Sequence, residues 1–410
     1  CLKDTVVVGE LALDGAVRPV PGILPIAIHA QRVGAQAMIV PRDNAREAAS
    51  VPGLQIISVG HLKDAISWLS GENPATIPAT IPPRCESFPD FSDVRGQPMA
   101  LRAAEIASAG GHNLLMVGPP GCGKTMIARR IPGILPPMTE NEKMESSQIW
   151  SVTRLLAQNS GLLQNRPFRA PHHTLSVPAM VGGGNIPMPG EVSVAHNGVL
   201  FLDELPEFKR PVLEGLRQPL EDGSVCIVRG MQRANFPSRI MLVASMNPCP
   251  CGWLGSQIRS CRCTSHQTIS YRSRVSGPLL DRIDLQVGLQ AVRLREIHEK
   301  SKGDSTLEIR KRVEGARKIQ ARRQRDGHSN PIWNANLQNS DLRHFARPSE
   351  EGLRILELAG DRLGLSARSL SRALKVARTI ADLDASDNIE ADHIAEAIQY
   401  RRLEECTRMS

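Results

Sequence analysis

Gly118-Pro119-Pro120-Gly121-Cys122-Gly123-Lys124-Thr125 is the run on which the reading of this chain turns. Its spacing is G-x-x-x-x-G-K-[ST], and both flanks suit it. Leu114-Leu115-Met116-Val117 reads as a buried strand entering the run, and Met126-Ile127-Ala128-Arg129-Arg130 as a helix leaving it. The glycines let backbone N–H groups wrap a polyphosphate without Cβ clashes, and the emerging helix aims its partial positive end at the anion. Lys124 is expected to reach the β- and γ-phosphates, and the Thr125 hydroxyl to ligate Mg²⁺. The plain alternative is a Gly/Pro-rich turn; motif and context together favour a site for nucleoside triphosphate, with ATP and Mg²⁺ as cofactors.

Seventy-odd residues downstream, Val199-Leu200-Phe201-Leu202-Asp203-Glu204 is an apolar run ending in two acids. A strand of this kind lies beside a phosphate loop, so Asp203 is placed to hold the Mg²⁺ shell and Glu204 to polarise the attacking water. Capping of a following helix by the acids is the alternative when the segment is taken alone. Ile240-Met241-Leu242-Val243-Ala244-Ser245-Met246-Asn247 reads as another buried strand. It delivers a polar residue to the end that faces the ligand crevice in open α/β sheets. Asn247 is expected there to orient water or γ-phosphate, against the alternative of a strand-terminating Asn.

The chain has 410 residues, 41% of them hydrophobic, enough for two or three cores. It lacks an 18-residue apolar run, so no helical membrane span is expected, and no signal segment is visible. The chain opens at Cys1 just before a strand-like Thr5-Val6-Val7-Val8, which reads as a fragment with its start missing. A lipid-modified Cys1 is the rival, and a cytoplasmic nucleotide-hydrolysing machine is the expectation. The formal net charge of +8 is compatible with a nucleic-acid partner, and aromatic residues at 3% favour backbone contacts over base stacking.

Four of the nine cysteines form two C-x-C pairs, Cys249/Cys251 and Cys261/Cys263, separated by a segment containing Gly252 and Gly255. In a cytosolic chain such a quartet suits Zn²⁺ held by four thiolates, although C-x-C is tighter than the usual knuckle; free or redox-active thiols are the alternative. His172-His173 offers two nitrogen ligands without an evident third.

The domain boundaries expected are an N-terminal unit at 1–70, a Pro/Thr-rich linker at 71–90, an α/β nucleotide-binding core at 91–291 and a helical lid at 292–405. The lid carries Lys311, Arg312, Arg317, Lys318, Arg322, Arg323 and Arg325, a nucleic-acid footprint or a solvated helix face. Within the core, Phe168 to His196 contains glycine runs that suggest an inserted surface loop. Val225 to Phe236 alternates around Gly230 as a hairpin, with Arg229 and Arg233 near its tip.

Taken together these motifs resemble the AAA+ ATPases, within them the clade with a helix-2 insert and a pre-sensor hairpin that includes magnesium-chelatase motor subunits. The nearest resemblance is to the magnesium-chelatase-like ComM/YifB family. It rests on Gly118 to Thr125, Arg169-Ala170-Pro171-His172-His173, Pro189 to Gly198, Asn247-Pro248-Cys249-Pro250-Cys251-Gly252 and Gly277 to Asp284, and it covers nearly the whole chain. The resemblance implies sensor 1 at Asn247, a trans-acting arginine finger at Arg282, and sensor 2 at Arg368 with Arg372 as runner-up. At helical spacing Arg368, Arg372 and Lys375 share one face, expected to look toward the nucleotide, and Leu370, Leu374, Ala377 and Ala381 the other. Gly9 to Gly22 looks like the second half of a Lon-protease-like (S5-domain-2-like) α+β domain. The position of the family's catalytic Lys holds Leu24, which has no amine to activate a serine, so proteolysis is disfavoured.

The implied function is a hexameric ATP-driven motor on single-stranded or branched DNA, a helicase or branch-migration factor in natural transformation. The alternative is a motor driving metal insertion into a tetrapyrrole. Such subunits are expected to lack the Lon-like domain and the cysteine quartet, which leans the reading toward DNA.

Overall fold

The computed structural model describes residues 4–72, 88–156, 161–230, 232–291, 303–325 and 333–401. Cys1, most of the 71–90 linker, residues 292–302, 326–332 and 402–405 of the 292–405 segment, Met231 and the Arg325 side chain lie outside the described residues.

The first unit is a small parallel sheet, β1 (Thr5–Val7), β2 (Ala37–Pro41) and β3 (Gln55–Val59), paired in that order. Helix α1 (Ile23–Arg32) buries Ile23, Leu24, Ala27 and Ala30 with Met38, Val40 and Ile56 in one cluster. Helix α2 (Leu62–Leu69) starts from a reciprocal cap in which His61 Nδ1 accepts from Lys63 N–H and Asp64 accepts from His61 N–H. Leu24 is fully buried, and its N–H donates to Glu47 Oε1 at 3.2 Å.

The central unit is a five-stranded parallel sheet built from β4 (Leu114–Val117), β5 (Phe168–Arg169), β6 (Val199–Leu202), β7 (Met241–Met246) and β8 (Leu285–Gly288). Its spatial order is β8-β4-β7-β6-β5. The central strands are buried on both faces, which is why they read as unbroken apolar runs instead of alternating ones. Helix α3 (Pro98–Gly110) covers one face with alanines, and helix α4 (Lys124–Ile134) continues directly from the phosphate loop.

The lid helices α5 (Thr306–Arg325), α6 (Glu350–Leu363), α7 (Ala367–Leu383) and α8 (Ala391–Gln399) share one hydrophobic cluster with the core. Val313, Val376, Ala377, Ile380 and Tyr400 join Leu114, Met116 and Ile127 within it. Part of the basic stretch of α5 is engaged in contacts with neighbouring elements. Arg317 stacks 3.7 Å from the centre of the Trp333 ring, and burial pushes its guanidinium down to about 10. Arg312 pairs with Glu105 and Asp304, and Arg323 with Asp382. These three arginines anchor the lid, while Lys311, Lys318 and Arg322 remain exposed on the helix.

Candidate active site

Parallel strands end on the same edge of the sheet, so β4, β6 and β7 deliver their terminal residues to one crevice. Gly121 and Gly123 adopt φ of 75° and 96°, and an added Cβ on either would meet nothing within 4 Å. The left-handed backbone accounts for the glycines, and the open space above them leaves room for a bulky anion. Lys124 Nζ donates to the carbonyls of Gly118 (2.6 Å) and Pro119 (2.9 Å) and to Asn247 Oδ1 (3.1 Å). Burial pushes this ammonium below the ordinary lysine range, against the attraction of Asp203 and Glu204. Thr125 Oγ1 donates to Asp203 Oδ2 at 2.9 Å. The donor set fits Mg²⁺-nucleotide: a hydroxyl and a carboxylate oxygen already meet, and an ammonium is held only by acceptors that an incoming phosphate can replace.

Glu204 follows Asp203 with φ 54°, a left-handed conformation uncommon outside glycine. Its N–H points to Ser245 Oγ at 3.4 Å, and the same hydroxyl donates to Asp203 Oδ1. Ser245 escaped the sequence reading. The signal lay in strand alternation, since Ser245 and Asn247 are two apart and point to the same side.

Arg282 and Arg368 stand elsewhere. Asn113 O accepts from the N–H groups of Asp284 and Leu285 (3.1 and 3.0 Å), which fixes Asp284 at the amino end of β4 and β8, opposite the phosphate loop. Arg282 is buried and Arg368 half-exposed, and both guanidinium groups clasp the single carboxylate of Glu221, on the short helix Arg217–Asp222. Arg282 in particular holds that carboxylate below its usual range. Arg372 pairs with Asp284 Oδ1 at 3.1 Å and Lys375 donates to Ala335 O at 2.9 Å. The Arg368/Arg372/Lys375 face thus lies away from the chain's own phosphate loop. Packing of the lid against α3 and β8 turns that face to the far end of the sheet. Glu221 carried no signal in the sequence, because its partners are 61 and 147 residues away.

The inserted segment and the hairpin meet. Arg169 forms a two-pronged ion pair with Glu191 (2.6 and 2.8 Å), joining the two family-like motifs of the insert. The hairpin strands Ser224–Arg229 and Gln232–Pro237 pair antiparallel, with Arg229 opposite Gln232 and Arg233 opposite Val228. Gly182 of the insert has no room for a Cβ beside Ile227 Cδ1 of the hairpin, at 2.5 Å. The rings of His172 and His173 lie 4.1 Å apart, and His173 packs edge-on to Phe208. Among the described residues, the one group of three or more ligand-type side chains that converges is Cys249, Cys251, Cys261 and Cys263, with all four Sγ atoms within 4.8 Å of one another. The histidine pair is not part of such a group.

Comparison with known proteins follows the same outline. Residues 90–297 match the family model described as magnesium chelatase, subunit ChlI, and residues 303–401 its C-terminal counterpart. Residues 1–44 match a model described as subunit ChlI of Mg-chelatase. A YifB protein of Salmonella typhimurium is 43% identical over 400 residues, spanning 97% of this chain and 77% of its own. The competence protein ComM of Haemophilus influenzae is 41% identical over 413 residues, with 98% and 78% covered. A shorter similarity to Lon protease of Brucella suis, 28% identical over 92 residues (18% of this chain and 11% of that one), accords with the Lon-like region.

Proposed function

This chain belongs to the magnesium-chelatase-like ComM/YifB family of AAA+ proteins, and on that premise we propose that it is an ATP-hydrolysing ring motor that moves along DNA. The observation that carries the ring is the placement of Arg282 and Arg368. Both sit at the end of the sheet away from the chain's own phosphate loop, so they can meet a nucleotide only in a neighbouring copy.

In this reading Lys124 holds the β- and γ-phosphates, Thr125 and Asp203 hold Mg²⁺, Glu204 takes up the proton of the attacking water, and Asn247 orients that water. Bound Mg²⁺ supplies charge neutralisation at the phosphates. Ser245 keeps Asp203 facing the crevice. The planar, permanently charged fork of Arg282, with Arg368 beside it, stabilises charge on the phosphoryl group of the next subunit. A hexamer is the assembly proposed. Cys249, Cys251, Cys261 and Cys263 are proposed to hold one Zn²⁺ that closes the loop after Asn247; elemental analysis should return about one zinc per chain.

DNA as substrate is supported by one relative's name as a competence protein, and by the basic hairpin that carries Arg229 and Arg233. Incoming DNA in natural transformation, single-stranded or branched, is the proposed context. Tetrapyrrole metallation is the second reading, favoured by the descriptions of the matched models. Because residues 1–44 also match a chelatase subunit model, the N-terminal unit does not separate the two readings as the sequence had suggested. ATPase assays with single-stranded DNA, branched DNA or a porphyrin separate them. Stimulation by DNA and ATP-dependent ring assembly are expected; stimulation by the porphyrin alone would overturn the DNA reading.

A further inference from the structure

Between Asp222 and Asp281 the chain carries seven arginines and not one acidic residue. The cysteine loop lies in the middle of this stretch. Its convergent thiols tie both ends of the segment from Gly252 to Ser260, and what they display is basic and partly apolar. Trp253 is half-buried, Arg259 and Arg262 are exposed, and the Arg259 guanidinium lies 5.7 Å from the centre of the Trp253 ring. Ile258 stands beside them, 64% exposed. Next to the loop is an open concavity of about 580 Å³ whose lining includes Arg262, His266, Tyr271 and Arg274. Arg274 is paired with Glu207 at 3.1 Å, while Arg259 and Arg262 beside an indole form the composition that tracks a phosphate backbone and stacks a base.

The loop also touches the nucleotide site. Gly252 adopts φ 81° and lies so close to the phosphate loop that an added Cβ would fall 2.7 Å from Pro120 Cδ and 3.8 Å from Asn247 Cγ. We propose that the Cys249–Cys263 loop is a contact site for single-stranded DNA, with Arg259 and Arg262 on the backbone and Trp253 under one base, and that Gly252 relays its occupancy to the phosphate loop. The choice of ligand rests on the reading of the chain as a DNA motor. The site itself rests on the acid-free stretch and the loop geometry.

Binding of the full chain to a fluorescent oligothymidylate, titrated against salt, tests it. Removing two phosphate contacts in Arg259→Ala/Arg262→Ala should make the slope of log affinity against log salt shallower by about 1.4. Trp253→Ala should weaken binding by roughly five- to a hundredfold, and Trp253→Phe should restore most of the loss. Zinc content and nucleotide binding report whether each variant is folded. Modification of the unsubstituted chain by an arginine reagent is a second readout, in which the oligonucleotide should protect Arg259 and Arg262. An unchanged slope with unprotected arginines, in a chain that still binds the strand, overturns this site and leaves the motor reading intact. If the unsubstituted chain binds neither single-stranded nor branched DNA, both fall. Gly252→Ala should leave strand binding in place and abolish its stimulation of hydrolysis; retained stimulation overturns the relay.

Discussion

At the carboxyl end of β4, Lys124 and Thr125 hold their polar groups against the Gly118 and Pro119 carbonyls, Asn247 and Asp203, partners that a ligand can displace. At its amino end, Asp284 is buried against His112 and Arg372, and Arg401 donates to the carbonyl of Ile283 next to it. One end is arranged for exchange, the other for permanence. Arg282 and Arg368 stand on Glu221 near the permanent end, with Arg368 and Glu221 about half-exposed. The contrast teaches that position near a rigid end does not decide exposure, since Arg368 stands at the surface while Arg282, on the same carboxylate, is buried.

The sharpest way to break the contrast is Arg282→Ala. If Arg282 completes the neighbour's site, kcat should fall by about 10³–10⁵ while ATP binding persists, and mixing with Glu204→Gln should recover part of the activity in steady-state assays. Equal activity in isolated monomers and rings would return Arg282 to a purely internal role. Glu204→Gln alone should lower kcat by about 10²–10⁴ with nucleotide affinity retained, measured by single-turnover hydrolysis and equilibrium binding.

The amino end answers to stability instead. Asp284→Ala leaves buried cations unpaired and should destabilise the fold by about 3–5 kcal/mol in urea melts. Burial alone would raise the Asp284 carboxyl, but the hydrogen bond with His112 and the charge of Arg372 bring it down to about 2. Its folded pKa thus lies below its value of about 3.9 in the unfolded chain. The stabilisation is complete above that unfolded value and disappears as pH falls from about 4 through 2, amounting to about 2–3 kcal/mol. Asp284→Asn should flatten that acid limb; an unchanged limb would assign the acid loss to other carboxylates.

What could be read from sequence was what lies within one motif. The phosphate loop, the acids after β6 and the polar residue after β7 are contiguous with their strands, so local chemistry announces them. The two C-x-C pairs were legible for the same reason, since convergence needs only one turn of chain between them. Glu221, Asp284 and the burial of Arg317 were not, because each takes its meaning from partners in distant segments. Helical spacing puts Arg372 and Lys375 of α7 on one side without saying that Asp284 and the Ala335 carbonyl lie against them.

Glu204 carries a cost that nothing in the fold requires. A side chain at φ 54° sits in a backbone region that disfavours a Cβ by about 1–2 kcal/mol, and glycine would occupy it freely. Glu204→Gly should therefore melt at the same temperature or higher than the unsubstituted protein, even though Gly surrenders more chain entropy on folding, and should hydrolyse no ATP. A more durable protein that does no work would identify this turn as a place where the molecule holds a tension on behalf of its chemistry.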